Sequence, residues 1–269
     1  RAEIQLLTSL GPVVQATTGL ASRECEELYN RARELCEKVG DSTQLFGVLV
    51  NLWLLTTQRG QLDAAQDLSN QLFSTATAHA EPDFVMQAHH SAWATHFFRG
   101  EFAEVLAAVD DGCGLYDPET HASHKFIYGG HDPIPCGLVF KGLAYWFGGS
   151  YAAAAVACAA SIKQARELEH PFTLALVSAY ANRIHYFEGR LDLLGASAEE
   201  LIELCERERF PLWLAFGSVL RGYALAQQGD EDGLKLVESG IALQQRTGST
   251  LNLPFHNCLL AQTQWRLDR

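Results

Sequence analysis

The sequence predicts an all-α solenoid of antiparallel helix hairpins, and three observations predict it. Glycines that close one apolar helical pattern and open the next recur as Gly19, Gly60, Gly100, Gly149, Gly189 and Gly229, separated by 41, 40, 49, 40 and 40 residues. A fixed period of this kind marks a supersecondary unit that cannot bury its apolar face alone and must stack on its neighbours. Between the glycines, apolar residues follow helical spacing, and no alternating stretch is long enough for a strand. The chain of 269 residues is 48% hydrophobic and 19% charged, so it can bury a sizeable core. The repeat argues for a single elongated domain over residues 1–269 rather than two compact ones.

The elements follow in order. A first helix is expected over residues 4–18, with Gly11-Pro12 inside it, where proline should kink or restart the helix. Ser22 reads as an N-cap ahead of acidic first-turn residues, and its helix continues through Leu28, Ala32 and Leu35 to Gly40. A second hairpin runs from Asp41 or Ser42 to the Arg59-Gly60 turn and back from Leu62 to about Ala78. The third follows Glu81-Pro82-Asp83, a start signal with proline in the first turn, and returns from Phe102 to Tyr116. The 49-residue spacing then holds about nine extra residues, and they fall in 117–135, where three prolines and two glycines make one long inserted loop. Loops inserted in a rigid scaffold often carry binding residues. The fourth unit resumes at Cys136, turns at Gly149 and returns through an alanine-rich helix; His170-Pro171 and Phe210-Pro211 open the fifth and sixth, and Leu253-Pro254 a final helix. Residues 142–162 carry no charge and are long enough to span a bilayer, but the Gly148-Gly149-Ser150 turn divides them, so a buried hairpin is expected and no membrane span.

Charge and cysteine usage narrow the function. Thirty-two acidic and 20 basic side chains give a net charge of −12, a poor basis for neutralising phosphates, so no direct nucleic-acid partner is expected. The seven cysteines are scattered without any C-x-x-C pair, which points to a reduced, cytoplasmic setting. The chain begins at Arg1 with no initiator methionine and no visible signal peptide, and is expected to be an excised piece of a larger protein.

The turn signature, glycine, any residue, aromatic or leucine, two further residues and an apolar one, resembles the tetratricopeptide class of repeats lengthened to about forty residues. A second resemblance runs over nearly the whole chain. Leu10-Gly11-Pro12, Tyr29-Asn30-Arg31-Ala32-Arg33-Glu34-Leu35, Leu115-Tyr116-Asp117-Pro118, Tyr128-Gly129-Gly130-His131-Asp132-Pro133, Glu169-His170-Pro171-Phe172, Phe210-Pro211-Leu212-Trp213-Leu214-Ala215 and Leu220-Arg221-Gly222-Tyr223-Ala224-Leu225-Ala226 occur in that order. The ordered set is similar to the C-terminal repeat region of bacterial signalling proteins that join a class III adenylate or guanylate cyclase domain to a STAND (AAA-type) ATPase. The resemblance implies a non-catalytic sensor or scaffold arm that regulates upstream domains; a small-ligand sensing domain, or the repeat arm of an ATPase-type transcription regulator, is the alternative. No G-x-x-x-x-G-K-[ST] loop and no cyclase-type aspartate pattern is present, so any such activity would belong to residues outside this chain. A G-x-S-x-G elbow is absent too, and neither catalysis nor a cofactor is expected of this segment.

Two groups of residues are candidates for binding. In stacked hairpins the first helices of successive units line the concave side. Four positions before each turn glycine stand Thr56, His96, Tyr145, His185 and Leu225; seven before stand Trp53, Trp93, Gly142, Asn182 and Gly222; Lys141, Arg183 and Arg221 add cations. Trp53, Trp93, His96, Lys141, Tyr145, Asn182, Arg183, His185 and Arg221 are therefore expected to form a stripe for a protein segment, a neighbouring domain of the same chain, another copy, or a small anionic ligand. The inserted loop contributes His121, His124, His131 and Asp132. Zinc wants its ligands at fixed short spacing, and no cysteine is placed by the sequence to complete a close cluster, so the histidines are expected to pack or to anchor the loop without metal.

Overall fold

The structure, a computed structural model, describes residues 1–79 and 81–268, and every regular element among them is helical. Six antiparallel hairpins follow one another: α1 (Ala2–Thr18) with α2 (Arg23–Val39), α3 (Ser42–Gln58) with α4 (Leu62–His79), and α5 (Pro82–Arg99) with α6 (Phe102–Gly114). After two single-turn helices, α7 (Pro118–His121) and α8 (His124–Ile127), come α9 (Pro133–Phe147) with α10 (Tyr151–Glu167), α11 (Pro171–Phe187) with α12 (Leu191–Glu208), α13 (Pro211–Gln227) with α14 (Asp232–Arg246), and a lone α15 (Leu253–Arg266). This is the tetratricopeptide-like solenoid that the repeat implies, with a principal core running from α3 to α13 and smaller clusters at each end.

The turn glycines explain their own recurrence. Gly60, Gly100, Gly149, Gly189 and Gly229 have φ between 69° and 89°, and Gly19 has φ 111°, conformations that a side chain resists. Prolines open α5, α9, α11 and α13, where a missing N–H costs no helical hydrogen bond. At Pro12 the helix does not restart: α1 runs through it as one helix. Gly11 lies so close to α2 that a Cβ there would be 2.2 Å from the Tyr29 phenol oxygen, and this packing overrides the local break.

Gly142 and Gly222 also belong to packing rather than to display. A Cβ on Gly222 would lie 2.6 Å from the Gly233 carbonyl oxygen and 2.8 Å from the Val237 nitrogen, so α13 and α14 touch backbone to backbone. A Cβ on Gly142 would meet the Cys158 sulfur at 2.4 Å between α9 and α10. Gly149 divides the uncharged 142–162 stretch between those two helices, and no described helix is long and apolar enough to cross a membrane.

Two segments fill the inside of the superhelix. The inserted loop turns inward: Gly129 N–H donates to Asn51 Oδ1 of α3 at 3.2 Å, and Gly130 packs against Pro12 and Phe172. From the other end, the loop before α15 reaches the turn of the second hairpin. Thr250 and Leu251 N–H both donate to the Gln58 carbonyl at 2.9 and 3.1 Å, and Ser249 Oγ donates to Gln58 Oε1 at 2.9 Å. Gly248, at φ 75°, leaves room where a Cβ would sit 2.3 Å from the Ala21 carbonyl oxygen. The two ends of the solenoid are thereby joined.

Gly222→Ala is expected to lower stability by about 3 kcal/mol, because the methyl meets backbone atoms that cannot rotate away. A fall in the urea midpoint with unchanged slope would show it.

Candidate functional site

The structure separates the residues of the expected stripe. Trp53 and Trp93 are 1% and 0% exposed and belong to the core: the Trp53 indole donates to Thr95 Oγ1 of α5 at 2.8 Å, and Trp93 stacks on His90. Four and seven positions before the turn, the first helices face neighbouring helices instead of the interior of the superhelix. His96 Nδ1 lies 2.6 Å from Glu101 at the start of α6, Lys141 pairs with Asp110 of α6 while its Nζ lies 5.9 Å from the Tyr145 ring, and Arg221 pairs with Glu199 of α12 at 2.8 Å. Asn182 and His185 line an outer groove of about 830 Å³ between α10, α11 and α12. Its floor includes Ile162, Leu174 and Leu201, and its rim Lys163, Arg166, Glu200 and Arg207.

Of the nine, Arg183 reaches the inner face. The positions that do so recur two and six before the turn glycine: Phe98, Phe147 and Phe187 at the first, Leu143 and Arg183 at the second. They enclose a cleft of about 420 Å³, closed on the far side by Leu251, Asn252, Pro254 and Phe255 of the C-terminal segment. Repeated phenylalanine two before the turn was a signal available in the sequence; the wall from beyond the last repeat was not. Arg99 stands at the rim, tied to Glu101 and Asp63 at 3.0 Å each.

The electrostatics of this cleft centre on Arg183, which is 7% exposed. Its guanidinium lies 4.6 Å from the Tyr180 ring centre, 4.9 Å from Phe255 and 5.6 Å from Phe216, and Nη2 donates to Asn252 Oδ1 at 2.7 Å. Among the described residues it forms no ion pair, and both its Nε and the Asn252 Nδ2 have no hydrogen-bond partner. Burial lowers its pKa to about 10, with the Tyr180 hydroxyl opposing, so it stays charged at neutral pH. Aromatic faces offset part of the desolvation cost, but a buried charge is ordinarily paired. The arrangement is chemically suited to an anion with an apolar body: the guanidinium and amide offer donors, and the phenylalanines enclose the rest.

The loop candidates are buried, at 3% for His121, 2% for His124 and His131, and 1% for Asp132. Asp132 caps α9 by accepting from Ile134 N–H, accepts from the Tyr116 hydroxyl, and donates its own N–H to Thr173 Oγ1, each within 3.1 Å. Burial pushes its carboxyl up despite these donors. His121 and His124 both reach Asp83 of α5, and His131 reaches His90 of α5. Here one expectation is corrected: Cys136 does complete a close cluster, with its sulfur 3.6 Å from His90 Nε2. The helix turn between His131 and Cys136, and the fold-back onto α5, bring together residues that spacing alone keeps apart.

No protein-family model matches this chain. It is 25% identical over 259 residues to an uncharacterized protein of Rhizobium meliloti (strain 1021), covering 95% of this chain and 25% of that protein. The chain thus spans about a quarter of the length of that relative. A tetratricopeptide repeat protein of known structure from Parabacteroides merdae is similar over 98% of this chain and 99% of its own, at 17% identity and a TM-score of 0.41.

Beside Arg183, His256 is 0% exposed; burial first, and the Arg183 charge second, hold its pKa at about 3, and its Nδ1 lies 2.6 Å from Gln244 Oε1. The unfolded chain protonates this ring below about pH 6.5, whereas the native fold does not until about pH 3, so unfolding takes up a proton in that window. Stability is full above pH 6.5 and falls as pH drops, at roughly 1.4 kcal/mol per pH unit from this group. Between pH 6.5 and 4, the wild type is expected to lose roughly 3 kcal/mol more than His256→Gln in urea denaturation.

Proposed function

We propose that this chain is the non-catalytic regulatory arm of a larger bacterial signalling protein, and that its inner cleft senses a small anion with a flat, apolar body. The buried Arg183 guanidinium, without a carboxylate partner among the described residues and walled by phenylalanines, carries this reading. A carboxylate or phosphate ester there would supply the missing countercharge, and its apolar part would replace water against Phe98, Phe147 and Phe187. Binding would brace α5, α9 and α11 against the C-terminal segment, so a ligand would bias the curvature of the whole array.

The larger protein belongs to the same proposal. The ordered motifs suggest cyclase and ATPase domains upstream, and the Rhizobium relative carries the similar region within a much longer chain. On α1, Leu6, Leu10 and Val13 form an apolar stripe 71%, 52% and 58% exposed, the kind of face that a neighbouring domain of the same chain would cover. The seven unpaired thiols suit a cytoplasmic setting. A second reading is a scaffold that holds a partner's peptide segment in the outer groove, favoured by that groove's apolar floor and mixed-charge rim.

Thermal unfolding with a panel of aromatic carboxylates and nucleoside monophosphates separates the readings. At least one ligand is expected to raise Tm, and Arg183→Met to weaken its binding about 100-fold, the scale of losing a buried charge-assisted contact. The ligand-free Tm of Arg183→Met is expected to stay level or rise, because an unpaired buried charge is removed. A panel that leaves Tm unmoved, together with peptide binding abolished by Leu201→Asp in the outer groove, would support the scaffold reading instead.

A further inference from the structure

A chain of hydrogen bonds between the insert and α5, buried except at its Asp83 end, sets where the ring protons lie when all four histidines are neutral. At one end, His131 Nδ1 lies 2.9 Å from the Gly129 carbonyl oxygen, which can only accept. Nδ1 therefore bears the proton, and Nε2 of the neutral ring is an acceptor. At the other end, Asp83 accepts from His121 Nε2 at 2.8 Å and from His124 Nε2 at 3.3 Å; His121 is held in that tautomer because Asp117 N–H donates to its Nδ1 at 2.7 Å. Neutral His124 then offers Nδ1 as an acceptor to Gln87 Nε2 at 3.0 Å, so Gln87 Oε1 accepts from His90 Nδ1, also at 3.0 Å. His90 Nε2 is consequently an acceptor as well.

The two acceptors face each other, with His90 Nε2 and His131 Nε2 3.1 Å apart. Two lone pairs cannot form a hydrogen bond. Both rings are buried, His90 1% and His131 2% exposed, where a charged imidazole would lose its hydration. The Cys136 thiol, 3.6 Å from His90 Nε2, has one proton and can satisfy only one of the two nitrogens.

We propose that His90, His131 and Cys136 bind a divalent metal ion of the zinc class, which clamps the insert and α9 onto α5. Their ligand atoms lie within 4.8 Å of one another. Zinc bonds of about 2.0–2.1 Å to nitrogen and about 2.3 Å to sulfur, at tetrahedral angles, place two nitrogens roughly 3.3 Å apart and nitrogen and sulfur roughly 3.6 Å apart. The 3.1 Å and 3.6 Å separations match this before any adjustment. Each imidazole already directs its other N–H at an orienting oxygen, Gly129 C=O or Gln87 Oε1, as metal-bound histidines do. Binding releases the Cys136 thiol proton to solvent, and three protein donors leave the fourth position of a tetrahedral ion to a small ligand such as water.

The neighbouring group of Asp83, His121 and His124 is similarly compact, but its geometry asks for no ion. Both imidazole N–H groups there already meet a carboxylate oxygen. The competing solution for His90 and His131 is one extra proton. With the Gln87 amide reversed, every bond in the chain turns round, and the positive charge comes to rest on His124 beside Asp83. The metal site is separate from the Arg183 cleft and does not rest on a ligand binding there.

The test uses the full chain, stripped with a chelator and titrated with Co²⁺ and then Zn²⁺. At one equivalent, Co²⁺ is expected to give intense tetrahedral visible bands and a near-ultraviolet sulfur-to-cobalt band, which Zn²⁺ bleaches. Zinc a hundredfold above its Kd should raise Tm by roughly 5–10 °C. Cys136→Ser should lose the sulfur band and weaken zinc binding by more than about 100-fold, while His121→Gln should keep one-to-one binding. A wild-type chain without a one-equivalent cobalt spectrum, whose Tm neither zinc nor chelator moves, would overturn the proposal. So would imidazole ¹⁵N shifts of a doubly protonated His124 at neutral pH in the purified protein.

Discussion

The docking of the Thr250 and Leu251 amides on the Gln58 carbonyl is the contact on which the rest of the interior depends. A buried backbone carbonyl must find donors, and here they come from the opposite end of the chain. The Gly248 backbone can approach Ala21 only because it has no Cβ. Once that seam is closed, a solenoid that could have offered a long open groove becomes an enclosed turn. Its inner face is covered by the insert on one side and the 247–255 segment on the other. The Arg183 cleft lies where first helices and final segment meet without filling the space between them.

Closure also sets the electrostatics. Polar side chains that would be hydrated on an open solenoid are held in a low-dielectric interior, where each must be matched or pay for its burial. The Asp132 carboxylate is matched by two hydrogen bonds, and the buried His121 and His124 rings by the partly exposed Asp83. Arg183 and the facing nitrogens of His90 and His131 are not matched by the chain itself. The mismatches differ in kind: one is a cation surrounded by rings, which calls for an anion, and the other a pair of lone pairs beside a thiol, which calls for a metal ion. Both sit where segments distant in sequence converge, so filling either would tighten the closure.

Much of the architecture was legible in the sequence because it is local. Positive φ at the turn forces glycine, a free first-turn N–H admits proline, and the period reports the hairpin. The failures arose where tertiary packing decides. Pro12 does not break α1, since Gly11 is held against Tyr29. The expected stripe was displaced, by two residues in one row and one in the other, which directed Trp53 and Trp93 between units and left the inner positions to Phe98, Phe147, Phe187, Leu143 and Arg183. Arg183 entered the expectation as a cation next to Asn182, one residue from the seven-before position, and that neighbouring position is the inner one. Neither Asn252 nor Cys136 could be assigned to a site from spacing, because each is brought there by a fold-back.

Native-state hydrogen exchange at Thr250 and Leu251 tests the central claim, that the chain seals its own inner face. If it does, both amides should be protected to within about 1–2 kcal/mol of global stability although they lie outside any helix. Exchange at the rate of an open loop, while the α13 amides stay protected, would mean that the seam opens freely and that the inner face is available after all.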